Sequence, residues 1–316
     1  MRETLSVLGA GLMGHSIALT AAWAGLSVVL QGNSEASLAR ADKGICDKLA
    51  LLADNGLIKQ EDIATMRRRI RTTVSVPDAV ANASFVIESI PEQMELKRQL
   101  YEQLDAWCDE NVVLASNTSG LSPTAIAERM KRPERMVVTH FWNPAHLLPL
   151  VEVVRGKKTD DKTADRAMQL LRAMDKKPIL VKKDVFGSVG NRLQYALFRE
   201  AQYILERGIA SMEDIDAAVT YSLGRRLPIT GPFMTADMGG LEVFDAISNY
   251  LFADLSKADQ SLDAMRALVD CGKYGLKTGA GFYEWDEAFS AQMTKAREQE
   301  LIRYLKRDMG MEQPEF

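Results

Sequence analysis

Two residues in the middle of the chain, His140 and Glu152, have the side chains needed to move a proton. His140 ends an apolar run that begins at Met136, and Glu152 lies in a second apolar run after the turn Trp142-Asn143-Pro144. A histidine at the end of a buried strand, with a carboxylate on the next strand, is the layout of a general base and the group that orients it. Taken alone, this pattern is more typical of a hydrogen-bonded structural histidine, so the elements around it have to decide.

A glycine-rich turn lies near the amino terminus. Gly9-Ala10-Gly11-Leu12-Met13-Gly14 follows a predicted strand, Thr4 to Leu8, and precedes a predicted helix and a second strand from Ser27 to Leu30. In a dinucleotide-binding unit the first glycine permits the tight turn, the second admits the pyrophosphate, and the third lets helix and strand pack. The phosphates then bind the amides at the start of the helix. The sequence therefore predicts cofactor contacts by Gly9, Gly11, Leu12, Met13 and Gly14.

The end of the second strand lacks the acid that usually binds the ribose of NAD. It has the sequence Leu30-Gln31-Gly32-Asn33-Ser34, and the first carboxylate comes only at Glu35. A missing carboxylate removes the repulsion that would exclude a 2′-phosphate. Two interpretations stay open: either NADP(H) is accepted or preferred, with donors from Asn33, Ser34 and Arg40, or Gln31 or Asn33 binds the ribose of NAD. Both place Gly32 and Asn33 at the cofactor.

Further strands are predicted at Ser84–Glu88 and Val112–Ala115, and the second of them leads into Ser116-Asn117-Thr118-Ser119-Gly120. Ligands bind at the carboxyl ends of strands in such sheets, so Asn117 is a candidate cofactor contact. A helix opening at Pro91 carries Glu92 and Lys97. A predicted helical hairpin, Ser34 to Arg69, is either simply packed against the sheet or a clamp for a second, larger ligand.

The composition is that of an ordinary soluble globular protein, with 47% hydrophobic and 26% charged residues. A net charge of -4 gives no overall attraction for nucleic acid. Three cysteines without a CxxC pair argue for a reducing compartment and against disulfides or a metal site. No segment has the apolar length of a membrane helix, and the chain enters its first strand at once, leaving no room for a signal peptide. We therefore expect a cytoplasmic protein.

The 316 residues are enough for two domains. Strand patterns stop beyond Asp184, and an amphipathic helix follows from Asn191 to Glu206. The sequence predicts an α/β Rossmann domain with a helical-hairpin insertion over residues 1–184, followed by an all-α domain over residues 185–316.

The chain resembles the 3-hydroxyacyl-CoA dehydrogenase family along essentially its whole length. The matching segments are GAGLMG (9–14), VIESIPEQMELK (86–97), ASNTSG (115–120), HFWNP (140–144), LVEVV (150–154), GNRL (190–193), DMGGLEV (237–243) and KTGAGFY (277–283). The resemblance implies a nicotinamide-dependent dehydrogenase with His140 as catalytic base, Glu152 as its orienting group, and Ser119 and Asn191 as hydrogen-bonding partners of the substrate oxygen.

The same resemblance implies contacts to the nicotinamide half of the cofactor from Glu92, Lys97 and Asn143. It implies that the hairpin is a CoA-binding arm and that the helical domain forms a homodimer. A 3-hydroxyacyl-CoA substrate, and hence a role in fatty acid metabolism, is the first expectation.

Some segments are closer to a side branch of the family whose members oxidise small hydroxy acids or alcohols free of CoA, such as gulonate, carnitine or a pyridine alcohol. These segments are NPAHLLPLVEVV (143–154), which contains His146, and residues 236–256. A free hydroxy acid or alcohol is therefore the alternative substrate. A non-catalytic dinucleotide-binding protein is the third possibility, and the set Ser119, His140, Glu152 and Asn191 argues against it.

Overall fold

The amino-terminal part of the protein is built on one eight-stranded sheet, seen in a computed structural model that describes residues 3–311. The strand order is β3-β2-β1-β4-β5-β6-β7-β8. The strands are β1 (Thr4–Leu8), β2 (Ser27–Gln31), β3 (Ile70–Thr73), β4 (Phe85–Glu88), β5 (Val113–Ser116), β6 (Met136–Phe141), β7 (Leu150–Arg155) and β8 (Lys177–Val181).

The first six strands in this order are parallel, and β7 runs antiparallel to β6. The reason is the connection between them, residues 142–149. A parallel crossover needs about a dozen residues or more, whereas this loop is long enough only for a hairpin-like reversal. Consequently the start of β7 lies at the same edge of the sheet as the carboxyl ends of β1, β4, β5 and β6.

Helices cover both faces of the sheet, as expected for a predominantly parallel sheet. They are α1 (Leu12–Trp23), α2 (Glu35–Asp54), α3 (Ile63–Arg68), α4 (Val76–Val80), α5 (Met94–Trp107), α6 (Pro123–Ile126) and α7 (Asp161–Ala173). One core contains Ile17 of α1, Ile45 of α2 and Leu170 of α7. A second core contains Tyr101 and Leu104 of α5 and Ile126 of α6. The predicted Rossmann domain with its hairpin insertion is confirmed.

The chain divides into two compact units, one comprising Met1–Val189 with Arg297–Phe316 and the other Gly190–Ala296. Beyond β8 the described chain is helical. Its helices are α8 (Gly190–Glu206), α9 (Met212–Ala218), a π-helical turn (Val219–Leu223), α10 (Gly224–Gly239), α11 (Leu241–Asp254), α12 (Asp263–Asp270) and α13 (Glu287–Asp308). The sequence predicts a boundary at Asp184 and assigns everything after it to the helical domain. In the structure Ile302 and Leu305 of α13 are buried in the same core as strands β1 and β2.

Local differences from the sequence prediction are small. Strand β3 is not predicted, since its residues Ile70-Arg71-Thr72-Thr73 lie at the sheet edge and have no buried apolar pattern. The helix expected from Pro91 begins at Met94, so Glu92 precedes α5. Ser34 caps α2 and forms a capping box with Ser37. Within residues 3–311, none of the helices combines the length and apolarity that crossing a bilayer requires.

Candidate active site

His140 and Glu152 are direct cross-strand neighbours in the antiparallel pair of β6 and β7. Side chains of directly opposed residues project from the same face, and here the imidazole Nδ1 lies 2.9 Å from the carboxylate Oε2. Glu152 is fully buried and His140 is 8% exposed. A carboxylate next to Nδ1 holds the proton there, and the lone pair of Nε2 is then left to accept another proton. The pair therefore has the geometry of an oriented general base.

Two further N–H groups donate to the same carboxylate. The indole Nε1 of Trp142 is 3.3 Å from Oε2, and the backbone N–H of Val189 is 2.8 Å from Oε1. Sequence reasoning missed both donors. The indole was readable only as part of a turn, and a backbone donor leaves no sequence signal.

The loop after β5 is organised by Glu92. Its Oε1 accepts hydrogen bonds from the Thr118 hydroxyl and from the backbone N–H groups of Ser119 (3.0 Å) and Gly120 (3.3 Å). Burial raises the pKa of the Glu92 carboxyl, but the Thr118 bond and the charge of Lys97 outweigh that effect, so its pKa lies below the ordinary value. The Ser119 hydroxyl is exposed and lies 3.4 Å from the same oxygen. Glu92 thus holds Ser119 at the carboxyl edge of the sheet.

Beneath this loop lies a buried ion pair that the sequence does not reveal. The ammonium of Lys97, which is 1% exposed, is 2.5 Å from Oε1 of the fully buried Glu88 and 3.4 Å from Oε2 of Glu92. Glu88 also accepts hydrogen bonds from the Ser116 hydroxyl and the Ile90 N–H. These contacts tie the end of β4, the end of β5 and the start of α5 into one network.

The glycine-rich turn has the shape that a dinucleotide requires. Gly9 has φ of +100°, and a Cβ there would lie 2.5 Å from the carbonyl oxygen of Ser89. A Cβ on Gly14 would lie 1.7 Å from the carbonyl oxygen of Gly9, so the helix and the turn are in close contact. A Cβ on Gly11 would meet nothing within 4 Å, which leaves open space at the start of α1 for a pyrophosphate. Gly9 and Gly14 therefore allow the turn and the helix to pack closely, and the contacts of all three glycines with a cofactor stay predictions.

Comparison with known proteins agrees with this geometry. The family model described as 3-hydroxyacyl-CoA dehydrogenase, NAD binding domain, matches residues 4–185, and the model described as 3-hydroxyacyl-CoA dehydrogenase, C-terminal domain, matches residues 187–285. The chain belongs to the 3-hydroxyacyl-CoA dehydrogenase family. It is therefore a nicotinamide-dependent dehydrogenase with an NAD-binding domain, as the sequence predicts.

Three relatives describe its position in that family. The 5-formyl-3-hydroxy-2-methylpyridine 4-carboxylate 5-dehydrogenase of Mesorhizobium japonicum is 34% identical over 306 residues, which are 96% of each chain. A solved structure of an enzyme of that name, described as an NAD+ dependent dismutase, matches with a TM-score of 0.91 and 32% identity over 98% of this chain and 99% of the other. The (S)-3-hydroxybutyryl-CoA dehydrogenase of Ralstonia eutropha matches with a TM-score of 0.76 and 34% identity over 91% and 100%.

The three asparagines predicted to contact cofactor or substrate lie in different places. The Asn117 side chain accepts a hydrogen bond from the Phe141 N–H (2.9 Å), which links the ends of β5 and β6. Asn143 is exposed in the loop after β6 and is joined to Pro144 by a cis peptide bond. Asn191 lies in the first turn of α8, within the second unit. Their contacts with substrate or cofactor stay predictions.

At the end of β2, the hydrogen bonds distinguish the two residues that are candidates for binding the ribose, Gln31 and Asn33. The Gln31 amide donates hydrogen bonds to the carbonyl oxygens of Gly32 (2.8 Å) and Val74 (3.2 Å), so its N–H groups are bonded to the protein's own backbone. Asn33 is exposed and accepts a hydrogen bond from Ser34. A Cβ at Gly32 would lie 2.6 Å from the Ser37 hydroxyl, so the space beside Gly32 is already filled. Asn33 is therefore the better placed candidate.

Proposed function

We propose that this enzyme interconverts a hydroxyl-bearing carbon and a carbonyl, with His140 as the general base of oxidation and the general acid of reduction. The contact of 2.9 Å between Nδ1 of His140 and the buried Glu152 carboxylate carries this proposal. Bound NAD+ supplies the hydride acceptor at the reacting carbon. The hydroxyl proton then leaves to Nε2 of His140, and Glu152 stabilises the resulting imidazolium.

Ser119 and Asn191 are proposed to hydrogen-bond the substrate oxygen as it becomes a carbonyl, and Glu92, Lys97 and Asn143 to support the nicotinamide half of the cofactor. For Ser119 the support is its exposed hydroxyl at the carboxyl edge of the sheet, where ligands bind in this type of fold. Lys97 is buried between Glu88 and Glu92, so its proposed contribution is to position the carboxylate of Glu92.

For the substrate we propose a small carboxylated alcohol or aldehyde that is not joined to CoA. Support comes from the TM-score of 0.91 with the pyridine carboxylate dehydrogenase, compared with 0.76 for the 3-hydroxybutyryl-CoA dehydrogenase. Two arginines of the hairpin have partners within the protein. Arg67 pairs with Asp42 at 2.9 Å, and Arg69 donates to the carbonyl oxygen of Ala22 at 2.9 Å. This engagement favours a packed hairpin over a clamp for the phosphates of CoA.

A 3-hydroxyacyl-CoA is the second candidate substrate. It is favoured by the 34% identity with the Ralstonia eutropha enzyme, which equals the 34% shared with the pyridine carboxylate dehydrogenase of Mesorhizobium japonicum.

The decisive experiment follows nicotinamide absorbance with acetoacetyl-CoA and, separately, with a hydroxypyridine carboxaldehyde bearing a carboxylate, offering NADH and NADPH in parallel. We expect turnover of the pyridine compound, with NADH as the better donor. Rapid turnover of acetoacetyl-CoA alone would assign the acyl-CoA function instead. A preference for NADPH would support a 2′-phosphate site at Asn33.

The catalytic role of His140 is tested by His140→Ala. We expect kcat to fall by about a thousandfold, within the range for removal of a general base, while cofactor affinity is retained. Glu95→Gln is the matched control, because Glu95 is an exposed carboxylate in the same unit that pairs with Arg129. Near-normal turnover by His140→Ala would contradict the mechanism.

We also propose a homodimer in the cytoplasm. The second unit exposes large apolar side chains such as Ile229 (72%), Phe233 (87%) and Phe252 (67%), and exposed apolar patches mark sites of protein–protein association. Light scattering coupled to gel filtration measures the assembly directly, and a monomeric mass at micromolar concentration would contradict it.

A further inference from the structure

Trp142 is an aromatic residue of the candidate site that contacts both His140 and Glu152. Its indole is half-buried in the loop after β6, and its Nε1 lies 3.3 Å from Oε2 of Glu152. That oxygen is the same one that faces Nδ1 of His140 at 2.9 Å. The acid of the pair is therefore shared between the imidazole and the indole.

The hydrogen-bonding chemistry fixes the direction of each contact. An indole N–H and a backbone N–H are donors only. Trp142 must therefore donate to Oε2, and Val189 must donate to Oε1 at 2.8 Å. With a donor on each oxygen, Glu152 is held as the carboxylate anion, and His140 is left to donate its Nδ1 proton to Oε2.

We propose that Trp142 is a positioning residue that fixes Oε2 of Glu152 against His140 and draws part of the negative charge of that oxygen onto its own N–H. The inference rests on the proposed role of His140 as the base. Without the indole N–H, Oε2 would interact more strongly with a protonated imidazole. Trp142 thus limits how basic His140 becomes, which favours return of the proton when the reaction runs toward the alcohol.

The indole ring has a second, opposing effect. The imidazole and indole centroids are 5.5 Å apart, with an angle of 49° between the planes. An aromatic face within about 6 Å stabilises a cation, so the ring favours the protonated state of His140 while the N–H disfavours it. Replacement by phenylalanine removes the N–H and keeps a ring, whereas replacement by leucine removes both.

Charged groups on the neighbouring elements are unchanged in such variants. The charged side chain that the structure places against the imidazole is Glu152 on β7, at 2.9 Å, and it is the same in every variant. A comparison between variants therefore isolates the indole.

The test is a pH titration followed by NMR of the full-length protein labelled with 15N at histidine and at the tryptophan indoles. The chain has three histidines, so the imidazole spectrum is simple, and the signals of His15 and His146 report whether a variant keeps its fold. In Trp142→Phe we expect the titration midpoint of His140 to rise by about half a pH unit. In Trp142→Leu we expect a midpoint below that of Trp142→Phe, because the ring is lost as well.

Trp107→Phe is the matched control, since Trp107 ends α5 and is 44% exposed. It should leave the midpoint unchanged. In the wild-type protein the indole N–H signal of Trp142 should shift with the same midpoint as His140, a measurement that needs no variant. If Trp142→Phe leaves or lowers the midpoint, or if the indole signal does not follow His140, the inference is wrong.

This titration requires no substrate, so its failure is distinguishable from failure of the proposed function. Once a substrate is identified, the acidic limb of the pH–rate profile for oxidation should move in Trp142→Phe by the same amount as the NMR midpoint. A purely structural role for Trp142 would lower kcat at all pH values without moving that limb.

Discussion

The buried pair of Lys97 and Glu88 allows a quantitative test of how the site is held together. Both side chains are almost fully buried, and their charged atoms lie 2.5 Å apart. Lys97→Met removes the cation and leaves the Glu88 carboxylate in an apolar interior, for which the expected cost is about 3–5 kcal/mol. The Ser116 hydroxyl and the Ile90 N–H still donate to Glu88, so we expect about 3 kcal/mol, the lower end of this range.

Two further variants separate the buried charge from lost packing. In Lys97→Met combined with Glu88→Gln the carboxylate is also gone, and the cost should fall to about 1–2 kcal/mol because replacing both partners of a buried pair is tolerated far better than replacing one. Arg129→Met breaks an exposed pair with Glu95 and should cost less than about 1 kcal/mol. Urea unfolding measures these differences, and amide exchange in β4 and β5 localises them.

The pH dependence gives a second check. Burial raises the pKa of Glu88, and the charge of Lys97 opposes that effect, so Lys97→Met should raise this pKa further. A carboxyl whose pKa is higher in the folded than in the unfolded state destabilises the fold at high pH, and the penalty disappears as the group is protonated. The difference in free energy of unfolding between wild type and Lys97→Met should therefore decrease by up to about 1.4 kcal/mol per pH unit on acidification. A constant gap, with the double variant no more stable than the single one, would refute the reasoning.

Two other predictions follow from the glycine turn and from a buried histidine. Gly11→Ala should weaken NAD binding by about tenfold with little change in Tm, because its Cβ meets only open space in the protein. Gly14→Ala should instead destabilise the fold by several kcal/mol, because its Cβ would lie 1.7 Å from the carbonyl oxygen of Gly9. Calorimetry measures the affinity and thermal unfolding the stability, and a larger loss of stability in Gly11→Ala than in Gly14→Ala would contradict the assignment. Burial and the charge of Lys48 lower the pKa of His146 to about 3, so its neutral form stabilises the fold above about pH 6.5, and this contribution is lost as the pH falls toward 3. His146→Gln should therefore lose less stability than wild type between pH 6.5 and 4 in urea unfolding, and parallel curves would count against this explanation.

The sequence predicts the parts of the fold that repeat a local pattern. The strand, glycine turn and helix from Thr4 to Trp23 have their signals within a single short segment. Strand β3 is not predictable because an edge strand of four residues has no buried face, and its sequence therefore shows no alternation of apolar and polar residues. The burial of Ile302 and Leu305 of α13 in the first core is equally hard to predict, since an apolar helix face does not specify the surface on which it packs.

The candidate site divides in the same way. His140 and Glu152 are predictable as a pair because the short loop between their strands enforces antiparallel pairing, which places them opposite each other. The ion pair of Glu88 and Lys97 is not predictable, because it depends on how the start of α5 lies over the end of β4. Trp142 is also hidden, since only the fold of its loop decides whether the indole N–H reaches the carboxylate.

The two fully buried carboxylates explain why the register of the sheet and the geometry of the site are specified together. Glu88 in β4 and Glu152 in β7 each require several donors, which come from α5, from the loop after β6, and from the segment after β8. A register shift of one residue in either strand would turn its carboxylate to the opposite face of the sheet, where apolar side chains pack. The groups that now donate hydrogen bonds to the carboxylate would then lose their acceptor. The penalty for burying an unpaired carboxylate exceeds the hydrophobic gain from a typical single side chain. The buried charged groups of this candidate site therefore also exclude alternative pairings of the strands that carry them.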